Sequence, residues 1–500
     1  MFPQAIFCRS ELDPLARAII RSICLIDTTR NKIKLLVTIT SYGTNQDQLL
    51  EQLVQEYRKM RFQSHIVVLS NVEKSVPQGV ELRVGLPTKD PWSLPFAHKQ
   101  VMADGRDQYD LFIYSENDVM ICESHIDAFL DVYPQMPNNE LPGFLLYEVG
   151  PNGVKDYVGL YGHYHWDPTS VVVRGPYTFA FLTNEHSASY LLTQAQLKRA
   201  IDSGGYLMAP NRGAYDMACT ASTDPYTRGG FRKLICLSRL EDFSLHHLPN
   251  KYSGPNSILR SQNFDKQKTT LLSFARDTTR PVSLFSSETK LPAVKYSKDY
   301  YEPAREDVLR ELPPTVRSVL SVGSGAGLME QRFAEMGMEV TAVPIDPVIG
   351  SCLTGTAVET VYGDLPTVRS KLNGRRFDCL FLSNILHLIK NPSNALKEFT
   401  ELLVPGGMVL VVSPNLSKLR LALQRSRRSA DYYSVGNYEA SGVSFVSKGL
   451  LKRWLRDSSC EIQHIRWISG ERFQWLGKLG IPLFDSLLSS EIIALARKAG

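Results

Sequence analysis

Two carboxylates two residues apart follow an apolar segment of the chain. Residues 109–114 (YDLFIY) are mostly aliphatic and aromatic, and Glu116 and Asp118 come shortly after them. Acids at the end of such a strand project into the crevice where α/β sheets bind ligands. Carboxylate oxygens suit Mg²⁺ or Mn²⁺, which can bridge to a diphosphate. The pattern therefore predicts a divalent-cation site; the alternative is a polar turn that caps the next helix.

A second chemical motif is a glycine-rich turn. Residues 319–327 (VLSVGSGAG) form a short apolar run that ends in glycines at the alternate positions Gly323, Gly325 and Gly327. A helical segment follows, and then a second apolar strand at 339–343. Glycine supplies positive φ and lets backbone approach a ligand without an intervening Cβ. The pattern predicts the opening of a βαβ unit at a ligand site, against the alternative of a plain connecting turn.

Strands that alternate with helices surround both motifs. Apolar, β-branched segments predict strands at 32–40, 64–70, 80–84, 377–383, 408–412 and 491–497. Helical periodicity marks 49–60 and 96–105. This alternation is typical of parallel sheets covered by helices, so the predicted fold class is α/β.

The domain organisation follows from length and composition. Five hundred residues suffice for two or three domains, each with its own core. We predict a helical lead-in at 1–30, a first domain at 31–252, a linker at 253–292 and a second domain at 293–500. The linker is assigned because its periodicity fades and Ser, Thr, Asn and Lys predominate.

Composition excludes several classes of protein. A net charge of +5, with 43% hydrophobic and 21% charged residues, is ordinary for a globular protein, and no segment resembles a nucleic-acid module. The eight cysteines form no CxxC pair, which favours buried reduced thiols over disulfides or metal. No segment reaches the ~18 apolar residues of a membrane span, and the N-terminus lacks a signal-peptide core. We therefore predict a cytoplasmic protein.

The C-terminal motifs carry a family resemblance. After the glycine turn come Tyr362-Gly363-Asp364, then Asn384-Ile-Leu-His387, then Pro405-Gly406-Gly407. This order, over about residues 296–498, resembles the class I S-adenosylmethionine-dependent methyltransferases, and most closely the small-molecule and sugar methyltransferases often fused to glycosyltransferases. The resemblance implies a Rossmann-like fold that binds S-adenosylmethionine. Gly323, Gly325 and Gly327 would face its methionine end, and Asp364 its adenine amine.

Three positions depart from that family's pattern. The family usually has Asp where Ser321 stands and an acidic ribose partner where Pro344 stands, and Asp346 is the candidate replacement for the second. His387 lies at a strand end near which the family has an acid. We predict that it is the base that deprotonates the methyl acceptor; the alternative is a structural histidine.

The N-terminal motifs carry a second resemblance. Residues 211–216 (NRGAYD) place Asp216 at the start of a predicted helix, and His246 and His247 follow about thirty residues later. With the paired carboxylates, this order over about residues 32–252 resembles the GT-A glycosyltransferases and their DxD motif, with Glu116 in the first position.

The GT-A resemblance implies roles for these residues. Thr40, Glu116 and Asp118 would contact a nucleotide-sugar donor. Mg²⁺ or Mn²⁺ would be held by Glu116, Asp118 and a late histidine, for which we favour His246. Asp216 would be the catalytic base that deprotonates the acceptor hydroxyl.

Two further segments allow two interpretations each. Residues 159–168 (GLYGHYHWDP) are aromatic, which suits either a sugar-acceptor loop or a loop packed on the core. Residues 418–428 carry five basic residues, which predict a solvated helix face. The alternative for the basic segment is a site for a phosphorylated glycan or peripheral association with a membrane.

The two resemblances together predict a bifunctional enzyme of glycan, polysaccharide or glycoconjugate biosynthesis. It would transfer a sugar from a nucleotide-sugar donor to a glycan or glycolipid acceptor and would methylate a sugar hydroxyl. One alternative is a glycan-binding or scaffold protein whose methyltransferase half is catalytically degenerate, as the departures at Ser321 and Pro344 suggest. Another is a fusion of two enzymes that act on different substrates.

Overall fold

The computed structural model describes residues 32–253, 261–276, 281–417, 421, 434–468 and 489–500. The predicted lead-in at 1–30 lies outside these residues, as does nearly all of the basic segment at 418–428. Among the described helices, none combines the length and the apolar character needed to cross a bilayer.

The N-terminal half of the described chain contains thirteen strands and five helices of the α type. In chain order they are β1 (Lys34–Ser41), α1 (Asp47–Lys59), β2 (Gln63–Ser70), β3 (Glu81–Val84), α2 (Ala97–Asp104), β4 (Leu111–Glu116), β5 (Val119–Met120), α3 (Glu123–Val132), β6 (Glu140–Gly143), β7 (Leu145–Val149), β8 (Lys155–Tyr157), β9 (Val172–Arg174), β10 (Tyr177–Ala180), β11 (Ser189–Thr193), α4 (Gln194–Asp202), α5 (Met217–Thr227), β12 (Arg232–Cys236) and β13 (Ser244–His247).

The principal sheet of this half has the order β11-β4-β1-β2-β3. Strands β1 to β4 are parallel, as the alternation of strands and helices predicts, and β11 runs antiparallel to β4. The chain adds β2 and β3 on one side of β1 and β4 on the other, so the strand order reverses between β1 and β4. Such a reversal opens a crevice at the carboxyl ends of the strands. Thr40 and Glu116 face each other across this point.

Two four-stranded sheets complete the N-terminal half. Their orders are β5-β13-β7-β8 and β6-β12-β10-β9. The first is important for the site because β13 pairs with β5, which begins directly after Asp118. In this pairing His247 lies opposite Val119, and His246 lies opposite Met120. The late histidines are therefore brought beside the paired carboxylates, although more than a hundred residues separate them in the sequence.

The rest of the described chain begins with a helix inside the predicted linker. The elements are α6 (Ser261–Phe274), α7 (Glu306–Leu309), β14 (Ser318–Ser324), α8 (Leu328–Glu335), β15 (Glu339–Pro344), α9 (Pro347–Gly350), β16 (Val358–Thr360), α10 (Leu365–Lys371), β17 (Phe377–Ser383), α11 (Pro392–Thr400), β18 (Leu403–Pro414), α12 (Tyr438–Ser441), α13 (Lys448–Asp457), β19 (Cys460–Ile468) and β20 (Glu491–Lys498).

The C-terminal sheet has seven strands in the order β16-β15-β14-β17-β18-β20-β19. The five strands from β16 to β18 in this order are parallel, whereas β20 runs antiparallel to both of its neighbours, β18 and β19. Strand β14 is almost continuously buried because both faces of the sheet are covered. It ends in the glycine turn, where Gly323 and Gly327 have φ values of +80° and +81° that favour glycine.

An apolar cluster joins the two halves. Helix α6 contributes Phe264, whose ring stacks on Tyr157 with centroids 3.8 Å apart, and the fully buried Leu271. The other members come from the N-terminal half (Leu145, Leu160, Trp166, Ala180, Leu182, Ile235, Leu237, Leu240) and from the C-terminal half (Tyr300, Tyr301, Ala326, Ile345, Val348, Ile349, Cys352). Residues 261–274 of the predicted linker are therefore part of a core that both halves share.

Candidate active sites

Asp118 lies at the carboxyl edge of the principal N-terminal sheet, in the turn between β4 and β5. Its side chain is nearly buried. Oδ2 accepts a hydrogen bond from Nε2 of Gln46 at 3.2 Å and lies 3.4 Å from Nε2 of His247. Oδ1 is buried and has no hydrogen-bond partner among the described residues. A buried carboxylate oxygen without a partner is costly, which makes this atom a candidate contact for a ligand or cation.

His247 connects Asp118 to a second buried acid. Its Nδ1 lies 2.6 Å from Oε1 of Glu148, which is fully buried. The other oxygen of Glu148 accepts backbone N–H bonds from Tyr252 and Ser253 at 2.6 and 2.7 Å. An acid fixed in this way accepts the Nδ1 proton and leaves Nε2 directed at Asp118. Burial lowers the pKa of His247, but the hydrogen bonds and charges of Asp118 and Glu148 outweigh it, so the net shift is upward.

The prediction that His246 faces the carboxylates is wrong. Its ring stacks on Tyr147, with centroids 5.1 Å apart and an interplanar angle of 7°, and its Nε2 lies 3.0 Å from Oδ1 of Asn250. Successive side chains of a strand point to opposite faces, so only one of two adjacent histidines can reach Asp118. In β13 that residue is His247.

Glu116 and Asp118 both line a cavity of about 390 Å³. Desolvation, followed by the charges of Asp118 and Asp216, raises the pKa of Glu116 to about 8. Burial and the negative charge of Asp118 therefore favour the protonated form of Glu116. The cavity is lined by Thr40, Tyr42, Gln46, Pro91, Trp92, Leu94, Pro95, Glu116, Asn117, Asp118 and Ala218. Within the described ranges, no three His, Cys, Asp or Glu side chains are arranged to hold a metal ion by themselves.

Asp216 caps the N-terminus of α5. Its Oδ1 accepts the backbone N–H of Cys219 at 2.9 Å, and the side chain is exposed. The effect of its charge on Glu116 shows that it lies near the carboxylate site. The structure thus brings Asp216 near Glu116 and Asp118, which precede it by about a hundred residues in the sequence.

The aromatic loop at 159–168 contains both exposed and buried side chains. Tyr161 is 45% exposed, whereas Trp166 is buried in the shared cluster. Tyr164 stacks on Tyr215, one residue before Asp216, and His165 stacks on Tyr300 with centroids 4.3 Å apart. Each earlier interpretation of this loop therefore suits different residues within it.

The backbone of Tyr300 packs closely against the glycine turn of the C-terminal half. The carbonyl oxygen of Tyr300 accepts the N–H of Ala326 at 2.7 Å, and a Cβ on Gly325 would lie 2.2 Å from that oxygen. Below the turn, Oγ of Ser321 donates to Oε1 of Glu330 at 2.6 Å. The buried Glu330 is a residue that the sequence analysis did not identify.

The two acids predicted to contact the cofactor both cap helices. Asp346 is buried, and its Oδ1 accepts the N–H groups of Val348 and Ile349 at 2.8 and 2.9 Å. Burial raises its pKa to about 7 against the opposing effect of these bonds. Asp364 accepts the N–H of Thr367 at 2.9 Å, and its hydrogen bonds there lower its pKa. Their contacts to the cofactor stay predictions.

His387, the predicted base, is buried and bonded to backbone. The side chain is 2% exposed, and Nε2 donates to the carbonyl oxygen of Tyr296 at 2.7 Å. Burial lowers the pKa of His387 to about 4, which leaves the imidazole a weak base. Its Nδ1 is buried and has no hydrogen-bond partner among the described residues. The structural alternative fits this residue.

Comparison with known proteins concerns the C-terminal half. Residues 296–473 match a family model described as a methyltransferase domain. Over 168 residues the chain is 24% identical to the ubiquinone biosynthesis O-methyltransferase of Xanthomonas axonopodis pv. citri, covering 32% of this chain and 69% of the relative. An uncharacterised methyltransferase of Mycobacterium bovis is 34% identical over 116 residues, covering 22% of this chain and 58% of the relative.

A solved methyltransferase structure from Archaeoglobus fulgidus aligns with 38% of this chain and 91% of its own, at 16% identity and a TM-score of 0.30. The family match supports a class I S-adenosylmethionine-dependent methyltransferase domain at residues 296–473, and the seven-stranded sheet of this half continues to β20. The cofactor of this domain is S-adenosylmethionine, and the domain implies a methyl acceptor.

Proposed function

We propose that the protein is a bifunctional enzyme of glycan or glycoconjugate assembly. Its N-terminal half transfers a sugar from a nucleotide-sugar donor, as the GT-A resemblance implies, and its C-terminal domain methylates a hydroxyl of a sugar. The observation that carries this proposal is the connected set Asp118, His247 and Glu148 beside the cavity at the carboxyl edge of the N-terminal sheet. The combination of this site with a methyltransferase domain favours a glycan acceptor.

The carboxylate site fits a divalent cation. Asp118 offers an unpartnered buried oxygen, and His247 offers Nε2 while its other nitrogen is held by Glu148. Metal-binding histidines commonly have this carboxylate partner. Asp118 and His247 would hold the cation, Glu116 would add negative charge, and ligand oxygens would complete the coordination. A divalent cation supplies charge that neutralises a leaving diphosphate.

The cavity also fits the rest of a nucleotide-sugar donor. Trp92 and Tyr42 line it, and their side chains are 56% and 57% exposed. Exposed aromatic faces stack on planar bases and on sugar C–H faces, so these rings suit the nucleoside. Asp216 stays the proposed acceptor base, because it is exposed beside the carboxylate site.

In the methyltransferase domain the chain's own contribution is alignment of the acceptor oxygen with the transferred methyl group. Alignment of two reactants can supply a large part of the rate acceleration of an enzyme-catalysed transfer. The proposed cofactor contacts are the glycine turn, Asp346 and Asp364. No residue is assigned as the base, because His387 is buried and bonded to backbone.

The adjacent histidines provide a matched test of the N-terminal site. We expect His247→Gln and Glu148→Gln each to weaken Mn²⁺ binding by about 10- to 100-fold, the usual cost of disturbing a ligand or its orienting partner. His246→Gln should bind Mn²⁺ as the wild type does, because that ring lies on Tyr147. Calorimetric titration with Mn²⁺ and a nucleoside diphosphate measures this. Equal losses at both histidines, or no Mn²⁺ binding by the wild type, would contradict the proposed site.

The methyltransferase proposal is tested with the full chain. The protein should bind S-adenosylmethionine in calorimetry and transfer a labelled methyl group to a glycosylated acceptor but not to its unglycosylated counterpart. Methylation of both acceptors would contradict the sugar as methyl acceptor. Failure to bind millimolar S-adenosylmethionine would instead favour the scaffold alternative, which the departures at Ser321 and Pro344 support.

A further inference from the structure

Three charged side chains line the space beside the glycine turn: Lys298 and Glu330 are buried, and Glu302 is partly exposed. Lys298, whose side chain is 1% exposed, lies 2.8 Å from Oε2 of Glu302 and donates to the carbonyl oxygen of Ser383 at 2.8 Å. Glu302 also accepts bonds from Oγ of Ser383 and Nδ2 of Asn384, both at 2.9 Å. Glu330 is the third charged residue, and it lines the same space. Two carboxylates and one ammonium give this space a formal charge of −1.

Glu330 differs from Glu302 in its partners. Oε1 of Glu330 accepts the hydroxyl of Ser321 at 2.6 Å, whereas among the described residues no lysine, arginine or histidine forms an ion pair with it. Its side chain is 4% exposed on the first turn of α8. Burial of a carboxylate without a paired cation costs several kcal/mol. Glu330 is buried despite this cost and lines the space beside the glycine turn, so it is a candidate to pair with a positive charge on a bound ligand.

The methionine end of S-adenosylmethionine brings such a charge. It carries an α-ammonium and an α-carboxylate, and its sulfonium gives the molecule a formal charge of +1, opposite to that of the space. An ammonium has three donors and needs acceptors, which Glu330 and Glu302 supply. Lys298 lines the same space and supplies a cation.

We propose that Glu330 accepts the α-ammonium of S-adenosylmethionine, so that the acid for the amino-acid end of the cofactor comes from helix α8 and Ser321 orients it. The inference rests on the assignment of S-adenosylmethionine as the cofactor. Ser321 then has a function of its own, because its hydroxyl fixes one oxygen of Glu330 and leaves the other for the ligand.

The test compares ligands with and without the methionine end. Glu330→Gln keeps the shape of the side chain and removes its charge. We expect this variant to bind S-adenosylmethionine and S-adenosylhomocysteine about 10- to 100-fold more weakly, as for loss of a charged hydrogen bond. Binding of 5′-methylthioadenosine, which lacks the ammonium, should not change. Glu335→Gln, at the exposed end of the same helix, is the matched control.

Rescue and folding controls make the result decisive. Ser321→Asp in the Glu330→Gln background should restore at least part of the affinity for S-adenosylmethionine, and Glu330→Asp should be intermediate. Thermal unfolding without ligand verifies that each variant is folded. The role of Glu330 would be overturned if Glu330→Gln bound S-adenosylmethionine as tightly as the wild type does. It would also be overturned if the variant lost as much affinity for 5′-methylthioadenosine as for S-adenosylmethionine. Absence of binding by the wild type would overturn the cofactor assignment itself.

Discussion

Replacement of Gly325 by alanine should remove S-adenosylmethionine binding and destabilise the protein. The added Cβ would lie 2.2 Å from the carbonyl oxygen of Tyr300, and this neighbour is backbone that cannot rotate away. Either the turn or the Tyr300 segment must shift, and the bond between Ala326 N–H and Tyr300 would be strained or lost. We expect the free energy of unfolding to fall by about 1–3 kcal/mol, the usual cost of overpacking.

The control for this variant is another glycine in the same domain. Gly449 lies in α13, and a Cβ there meets no atom within 4 Å. Gly449→Ala should therefore leave the stability unchanged or raise it slightly, because alanine favours the helix. Denaturant unfolding and calorimetry with S-adenosylmethionine measure both effects. Normal stability and binding in Gly325→Ala would show that the turn tolerates the displacement and that the described contact is not essential.

The sheets could be predicted because their signal is local. Buried parallel strands are continuous apolar segments, and β1, β2, β14 and β17 were all located from such segments. The position of Glu116 and Asp118 at a strand end followed from the same signal. That a late histidine would reach them was implied by the GT-A resemblance, since no local pattern indicates it.

The partners of these residues could not be predicted because they depend on tertiary contacts. Glu148 holds His247 across 99 residues of sequence, and no local pattern marks it. The choice between His246 and His247 depends on which face of β13 points at β5, which two adjacent identical residues cannot reveal. His387 is placed correctly at a strand end, but only the three-dimensional fold shows that its ring is buried against Tyr296.

Helix α6 lies inside the predicted linker, and its buried face was not recognised from the sequence. Phe264, Gln267 and Leu271 follow the three- and four-residue spacing of a buried helix face, and all three are nearly inaccessible. The polar residues between them conceal this spacing when composition is averaged over 253–292. A search for the period would have found the helix, but the surfaces that it contacts belong to both halves.

Contacts through this region connect the two candidate sites. The N–H of Tyr300 donates to the carbonyl oxygen of Gly162 in the aromatic loop, and its own carbonyl accepts from Ala326 in the glycine turn. Its ring stacks on His165. One residue therefore contacts both the loop that approaches Asp216 and the glycine turn that we propose as the cofactor site. Its position depends on the shared apolar cluster, of which Tyr300 is a member.

Phe264→Ala should consequently lower the stability of the whole chain and weaken cofactor binding at a distance. Phe264 is 2% exposed, stacks on Tyr157 and also contacts Trp166 at a centroid distance of 6.2 Å. Removal of a buried phenylalanine ring typically costs 3–5 kcal/mol, so we expect a loss of about that size in the free energy of unfolding.

With the cluster weakened, the halves should unfold in two transitions where the wild type shows one. Asp265→Ala, at the neighbouring exposed position, is the control. Calorimetric unfolding and titration with S-adenosylmethionine measure both effects, and a stable variant with a single transition would mean that contacts other than α6 hold the two halves together.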